Sequence, residues 1–149
     1  MKTAAHGRAH ALLRAHLDMR GLRMTRPRVS ILEHLLANRG HQSLDDVHRA
    51  LRGQGIGRAT VFRTLRMLEE CRLLVRMSGA GKASRFEMGL GREHHDHLIC
   101  LDCGKILEVH WPGLERLQKT TCRRLGFEAD WHRHEVFGRC ARCRKKGPL

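Results

Sequence analysis

Two cysteine pairs, Cys100-Leu101-Asp102-Cys103 and Cys140-Ala141-Arg142-Cys143, constrain this chain more than any other feature. Thiolate sulfur binds Zn2+ well, and two Cys-x-x-Cys pairs supply the four ligands of a closed tetrahedral site. Four protein ligands leave no position for water, so such a site is structural: it ties the C-terminal tail to the knuckle near residue 100. Gly104, straight after Cys103, suits the tight turn of that knuckle. The same run opens with His94-His95-Asp96-His97. Three imidazoles and a carboxylate therefore stand beside a site that four thiolates already fill.

If residues 94–97 are extended, their side chains alternate between two faces. His95 and His97 then point one way, His94 and Asp96 the other. One short segment can thus feed two further metal sites. His41, Glu87, Glu108, Glu115 and His132 are candidates to complete them, and periodicity does not choose among these five.

A chain of 149 residues makes one domain or two small ones. A half of that size is marginal without a staple, and bound zinc supplies folding free energy directly. The formal net charge is +14, unevenly spread. Up to Ser84, 16 Lys and Arg stand against 6 Asp and Glu; from Arg85 on, 13 stand against 9. The excess in the first half points to a polyanion partner. The N-terminus has no long apolar run, which predicts neither a signal peptide nor a membrane span. With the Cys-x-x-Cys spacing, that predicts reduced thiols in a cytoplasm. Cys71 sits in an apolar stretch and reads as a core residue.

Leu12, Leu13 and Leu17 predict an amphipathic helix over 9–20 that stops at Gly21. Thr25-Arg26-Pro27-Arg28 reads as a helix start, continued by Val29, Leu32, Leu35 and Leu36 and ended by Asn38-Arg39-Gly40. Ser43 and Asp46 form a capping-box-like pair before a third helix. A fourth runs from Ala59 to Glu70, with Val61, Leu65 and Leu68 on one stripe. Strands over 73–77 and 83–88 flank a turn at Ser78–Lys82. The last three helices followed by a hairpin give the order of a winged helix-turn-helix. Arg58, Arg63 and Arg66 cluster on the helix that would enter the major groove, where Arg reads guanine. Arg23 and Lys82 are placed to reach phosphate or the minor groove.

Glycines at 89 and 91 mark a hinge. The expected domains are 1–88, which would bind DNA, a hinge at 89–93, and 94–149. The second half reads as strands near 97–100 and 106–110, a helix over 112–125, and strands near 128–132 and 136–138. The fold class is α+β: a winged helix-turn-helix domain followed by a small zinc-stapled α/β domain.

Four segments carry a family resemblance: Thr25-Arg26-Pro27-Arg28, Ala59-Thr60-Val61-Phe62-Arg63, the run His94 to Lys105, and Cys140-Ala141-Arg142-Cys143. In this order the chain resembles the ferric uptake regulator family of bacterial metal sensors. The resemblance implies structural zinc on the four cysteines and a C-terminal dimerisation domain. It implies a regulatory metal bridging the two domains on His41, Glu87, His95, His97 and Glu108. A second set within the dimerisation domain would be His94, Asp96, Glu115 and His132. Thr60 and Phe62 join the DNA-contacting residues, Phe62 standing where the family usually has Tyr. The implied function is a metal-dependent repressor, a homodimer or tetramer on a palindromic operator, and not an enzyme. Nitrogen and oxygen donors suit Fe2+, Mn2+ or Zn2+. Iron is the leading reading, with a zinc or manganese sensor as the alternative; Glu108 stands where peroxide sensors of the family carry Asp. A zinc hydrolase or deaminase is the competing class, and neither H-E-x-x-H nor H-x-E with P-C-x-x-C is present.

Overall fold

A computed structural model describes residues 2–77 and 83–145. They form two compact units, Met1–Arg92 and Glu93–Leu149.

The first unit opens with α1 (Lys2–Asp18). It starts well before residue 9, because Ala4 and Ala5 are strong helix formers that carry no apolar stripe. Its inward face is Ala9, Leu13 and Leu17, all fully buried. Gly21 closes it in the left-handed region (φ 62°), which lets the Leu22 N–H reach the Leu17 carbonyl at 2.9 Å. Helix α2 (Arg26–Ala37) has Thr25 in the cap position, but no cap bond from the hydroxyl, and Pro27 in its first turn. Ile31, rather than Val29, joins Leu32, Leu35 and Leu36 in the core.

A two-residue strand that periodicity does not foretell, β1 (Gln42–Ser43), leads into α3 (Leu44–Leu51). Here the capping box is complete: the Asp46 N–H donates to Ser43 Oγ at 3.2 Å, and the Ser43 N–H donates to the Asp46 carboxylate at 2.9 Å. After a short 3-10 turn, Arg52–Gln54, comes α4 (Arg58–Glu70), which buries Val61, Thr64, Leu65 and Leu68. The Thr64 hydroxyl is satisfied by the Thr60 carbonyl at 2.8 Å. Strands β2 (Leu74–Met77) and β3 (Arg85–Met88) pair antiparallel, and β1 adds to β3, giving the order β1-β3-β2. The expected turn at 78–82, and Lys82 with it, lies outside the described residues. Helices α2–α4 with the small wing sheet make this a winged helix-turn-helix unit, and α1 packs onto the same apolar core.

In the second unit, β4 (Asp96–Cys100) is the central strand. It pairs antiparallel with β5 (Ile106–Val109) and parallel with β6 (Glu135–Gly138), the parallel partner being reached through α5 (Pro112–Arg124). A last turn of helix, α6 (Ala141–Arg144), carries Cys143. The expected strand at 128–132 does not form. Glu128-Ala129-Asp130 is poor in strand formers, and that stretch is irregular up to Glu135. Little apolar surface is buried here: α5 has no buried residue, and Ile99, Cys100 and Cys143 form the interior.

The capping box generates a test. Its hydrogen bonds, first that of the Ser43 hydroxyl, hold the Asp46 carboxyl below its ordinary value of 3.8. A depressed folded pKa stabilises above the unfolded value, and the effect is lost as pH falls through the folded one. Ser43→Ala is expected to cost about 1 kcal/mol at pH 7. Chemical denaturation at neutral pH and near pH 3 should show the gap between variant and parent shrinking in acid.

Candidate metal centres and nucleic-acid surface

Strand β4 delivers Cys100 to the knuckle. There Gly104 adopts the left-handed conformation (φ 71°), and its N–H closes the turn onto the Cys100 carbonyl at 2.9 Å. Cys140 follows β6 and Cys143 sits on α6. All four Sγ atoms lie within 4.8 Å of one another, with Cys103 and Cys140 Sγ 3.7 Å apart. A tetrahedron with zinc–sulfur bonds of 2.3 Å has an edge of ~3.8 Å. The separation therefore matches shared coordination and is far too long for a disulfide. The Cys140 N–H donates to Cys100 Sγ at 3.3 Å. That donor, with the Cys103 N–H behind it, draws the Cys100 thiol down to about 6. Burial and the neighbouring thiols push Cys143 up to about 12. The cluster favours thiolate at one corner and resists it at another, and a divalent cation is what reconciles the two. Arg139 Nε donates to Asp102 at 2.6 Å, so an ion pair braces the two knuckles. Opposite charges directly before Cys103 and Cys140 were the sequence signal for this brace, which pattern reading missed.

Directly upstream, His94, Asp96, Glu115 and His132 come together within the second unit. His94 Nε2 lies 3.1 Å from Asp96, 3.2 Å from Glu115 and 2.9 Å from His132 Nε2. His132 Nε2 is 2.7 Å from Glu115. Asp96 is 1% exposed. The ligand atoms of His94, Glu115 and His132 lie within 4.8 Å of one another, a nitrogen–oxygen set suited to a borderline divalent ion, with Asp96 beside it on His94. His134, bonded to Gln118 at 3.2 Å, sets its ring 5.3 Å from that of His132 at a tilt and is a neighbour that residue order did not single out.

The remaining predicted donors are divided between the units. In the first, His41 Nε2 lies 3.4 Å from Glu87 Oε2, and Glu87 is 3% exposed. In the second, the rings of His95 and His97 are 4.9 Å apart. Glu108 faces His97 across the β4–β5 register, so all three share one face of the sheet. His97 is buried, whereas Glu108 is exposed.

The polar face of α4 presents Arg58, Phe62, Arg63 and Arg66 to solvent, and Thr60 is half-buried. Arg58 pairs with Asp45, and Arg66 with Glu69 at 3.1 Å. Arg23 is exposed beyond α1, its carbonyl accepting from Arg28. Burial raises the Cys71 thiol, which packs against the core and serves no site.

A winged helix with an arginine-bearing recognition helix, followed by a four-thiolate unit rich in nitrogen and oxygen donors, defines a metal-responsive DNA-binding regulator. The sequence profile of the ferric uptake regulator family matches residues 19–137. The chain belongs to that family of metal-responsive, DNA-binding, dimeric transcription regulators. It is 36% identical to the peroxide operon regulator of Bacillus subtilis, over 96% of this chain and 97% of that one. Among solved structures it resembles the ferric uptake regulator of Francisella tularensis with iron (TM-score 0.70, 37% identity, 83% of this chain and 96% of that one). It also resembles the ferric uptake regulator of Pseudomonas aeruginosa with manganese (TM-score 0.73, 35% identity, 85% and 96%).

Zinc removal tests the clamp. Cys140→Ser, or a strong chelator under reducing conditions, is expected to release zinc and unfold the second unit while leaving the first helical. Circular dichroism with a colorimetric zinc assay checks this; a fully folded, zinc-free Cys140→Ser variant would contradict it.

Proposed function

We propose that the chain is a homodimeric repressor whose hold on a palindromic operator is set by a regulatory metal. Its ligands are His41 and Glu87 from the DNA-binding unit and His95, His97 and Glu108 from the second. The observation that carries this is the chemistry of the two sets: within each unit a buried donor, Glu87 in one and His97 in the other, has nitrogen or oxygen donors and no thiolate beside it. An ion holding both sets fixes the angle between the units. In a dimer, that angle sets the spacing of the two recognition helices, which must match half-sites one helical turn or a multiple apart. Without the ion the spacing is not enforced. A coupling of about 1–3 kcal/mol, roughly 5–150-fold in affinity, makes a usable switch.

The second unit supplies a surface for the dimer. Leu117, Leu125, Phe127, Trp131, Val136 and Phe137 are all exposed, more apolar area than a solitary small unit ordinarily shows. Pairing of two such faces buries it. A tetramer would be a further assembly of the same dimers.

Iron is the favoured signal, with manganese or zinc as the alternative. Affinity alone favours Zn2+ over Fe2+ and Mn2+ on such ligands, so the metal available in the cell decides. None of the described helices is long and apolar enough to cross a membrane. A cytoplasmic location is the reading that a DNA partner and two Cys-x-x-Cys pairs kept as metal-binding thiols support. His94, Asp96, Glu115 and His132 hold a second ion inside the dimerising unit.

Mobility shifts on a palindromic operator test the reading, using demetallated regulatory sites titrated separately with Fe2+ (anaerobically), Mn2+ and Zn2+. His95→Ala with His97→Ala is expected to remove metal-dependent binding while zinc stays in the clamp. Arg63→Ala should cost ~1–3 kcal/mol and relax sequence preference at one base pair. Operator affinity that ignores both metal and the double substitution would sink the switch.

A further inference from the structure

Glu87 is a carboxylate almost wholly withdrawn from water, and such a group needs a cation or strong donors beside it. Its two oxygens are divided. His41 lies against Oε2 at 3.4 Å, and the Arg92 guanidinium pairs with Oε1. Arg92 is not a loose surface side chain: its head is 22% exposed and also donates to the Arg39 carbonyl at 3.4 Å. Arg39 in turn donates to the Gly91 carbonyl at 3.5 Å. This reciprocal pair of bonds ties residues 91 and 92 to the segment before β1, so the backbone aims the guanidinium at Glu87.

We propose that Arg92 is a built-in stand-in cation for the regulatory metal, holding the Glu87 carboxylate in the metal-free protein and setting the threshold at which a divalent ion takes it. The proposal rests on reading Glu87 as a regulatory ligand. A divalent ion and a guanidinium on one buried carboxylate repel each other, so ion binding has to displace Arg92 or work against its charge. Guanidinium stays protonated at any physiological pH, which makes the competition constant rather than pH-gated. The Glu87 set thus never faces the full cost of an uncompensated buried charge, and only an ion that binds better than the guanidinium is registered.

The test uses full-length protein with its structural zinc retained and Co2+ as probe, read by its visible ligand-field absorption with a competing chelator. His94→Ala and His132→Ala in the background remove the other donor set. Arg92→Gln is expected to bind Co2+ about tenfold tighter than its parent, because a competing positive charge beside the carboxylate is gone. Arg92→Lys, which keeps the charge but loses the fork, should be tighter by a smaller factor. Co2+ should also raise the unfolding temperature more in Arg92→Gln than in the parent. Unchanged or weaker Co2+ affinity in Arg92→Gln overturns the proposal; should that variant not fold, unchanged or weaker affinity in Arg92→Lys does the same. Glu87→Gln keeps the two ideas apart. If it leaves Co2+ affinity untouched, the ligand reading fails. If it weakens binding while the Arg92 variants do nothing, only the role of Arg92 fails.

Discussion

Four sulfurs organise the second unit. Among the described residues its apolar interior amounts to Ile99 and two of the cysteines themselves, and α5 packs no residue fully away from water. Hydrophobic burial on that scale does not hold a domain this small. Structural zinc contributes ~10–16 kcal/mol in small zinc-bound peptides, as much as the whole stability of an ordinary domain. A metal on which folding depends to that degree is a poor messenger, because losing it destroys the reader along with the signal. Under the proposed function, sensing therefore falls to the nitrogen–oxygen donors, whose ion would come and go while the fold persists.

The clamp and the sensing donors are joined by one strand. Cys100 ends β4, and zinc at that end fixes the strand's position and pleat. The pleat sends His94 and Asp96 toward Glu115 and His132, and sends His95 and His97 toward the face that carries Glu108. A slip of one residue in the β4–β5 register would exchange the two sets of donors. Zinc at the end of β4 would thus set the register on which both nitrogen–oxygen donor sets depend, a physical reason for their lying within a few residues of the four cysteines.

Much of this was legible from residue order. Alternation divided 94–97 correctly between two faces, the Ser43–Asp46 spacing marked a complete capping box, and the stripe of Val61, Leu65 and Leu68 oriented α4. These are rules of short range, obeyed by the local chain whatever surrounds it. Legibility ended where partners are distant in sequence. Strand β1 is two residues long and exists only because β3 offers it an edge. Glu115 and His132 were two among five candidate donors until α5 and the loop before β6 brought them to His94. The strand expected at 128–132 is irregular chain instead, for the local reason that Glu128-Ala129-Asp130 are poor strand formers. Residue order gives Arg92 only as part of the 89–93 hinge, and nothing in it pairs Arg92 with Glu87 or Arg58 with Asp45.

Those last two pairs share chemistry but not environment. Arg58 and Asp45 are both about half exposed, and the Arg66–Glu69 pair is similarly open to water on its arginine side. An exposed pair of this kind is worth ~0–1 kcal/mol, so a phosphate can replace the carboxylate at almost no cost. The recognition helix can then carry acids beside its arginines and still be ready for DNA. At Glu87 the carboxylate is buried, and separating it from its cation without a replacement costs several kcal/mol. The same kind of ion pair is therefore a pliable surface feature on α4 and a firm catch at Glu87. Under the proposed switch, the threshold for DNA binding lies at the buried carboxylate and its counter-ion, and the surface proposed to meet DNA needs no switching of its own.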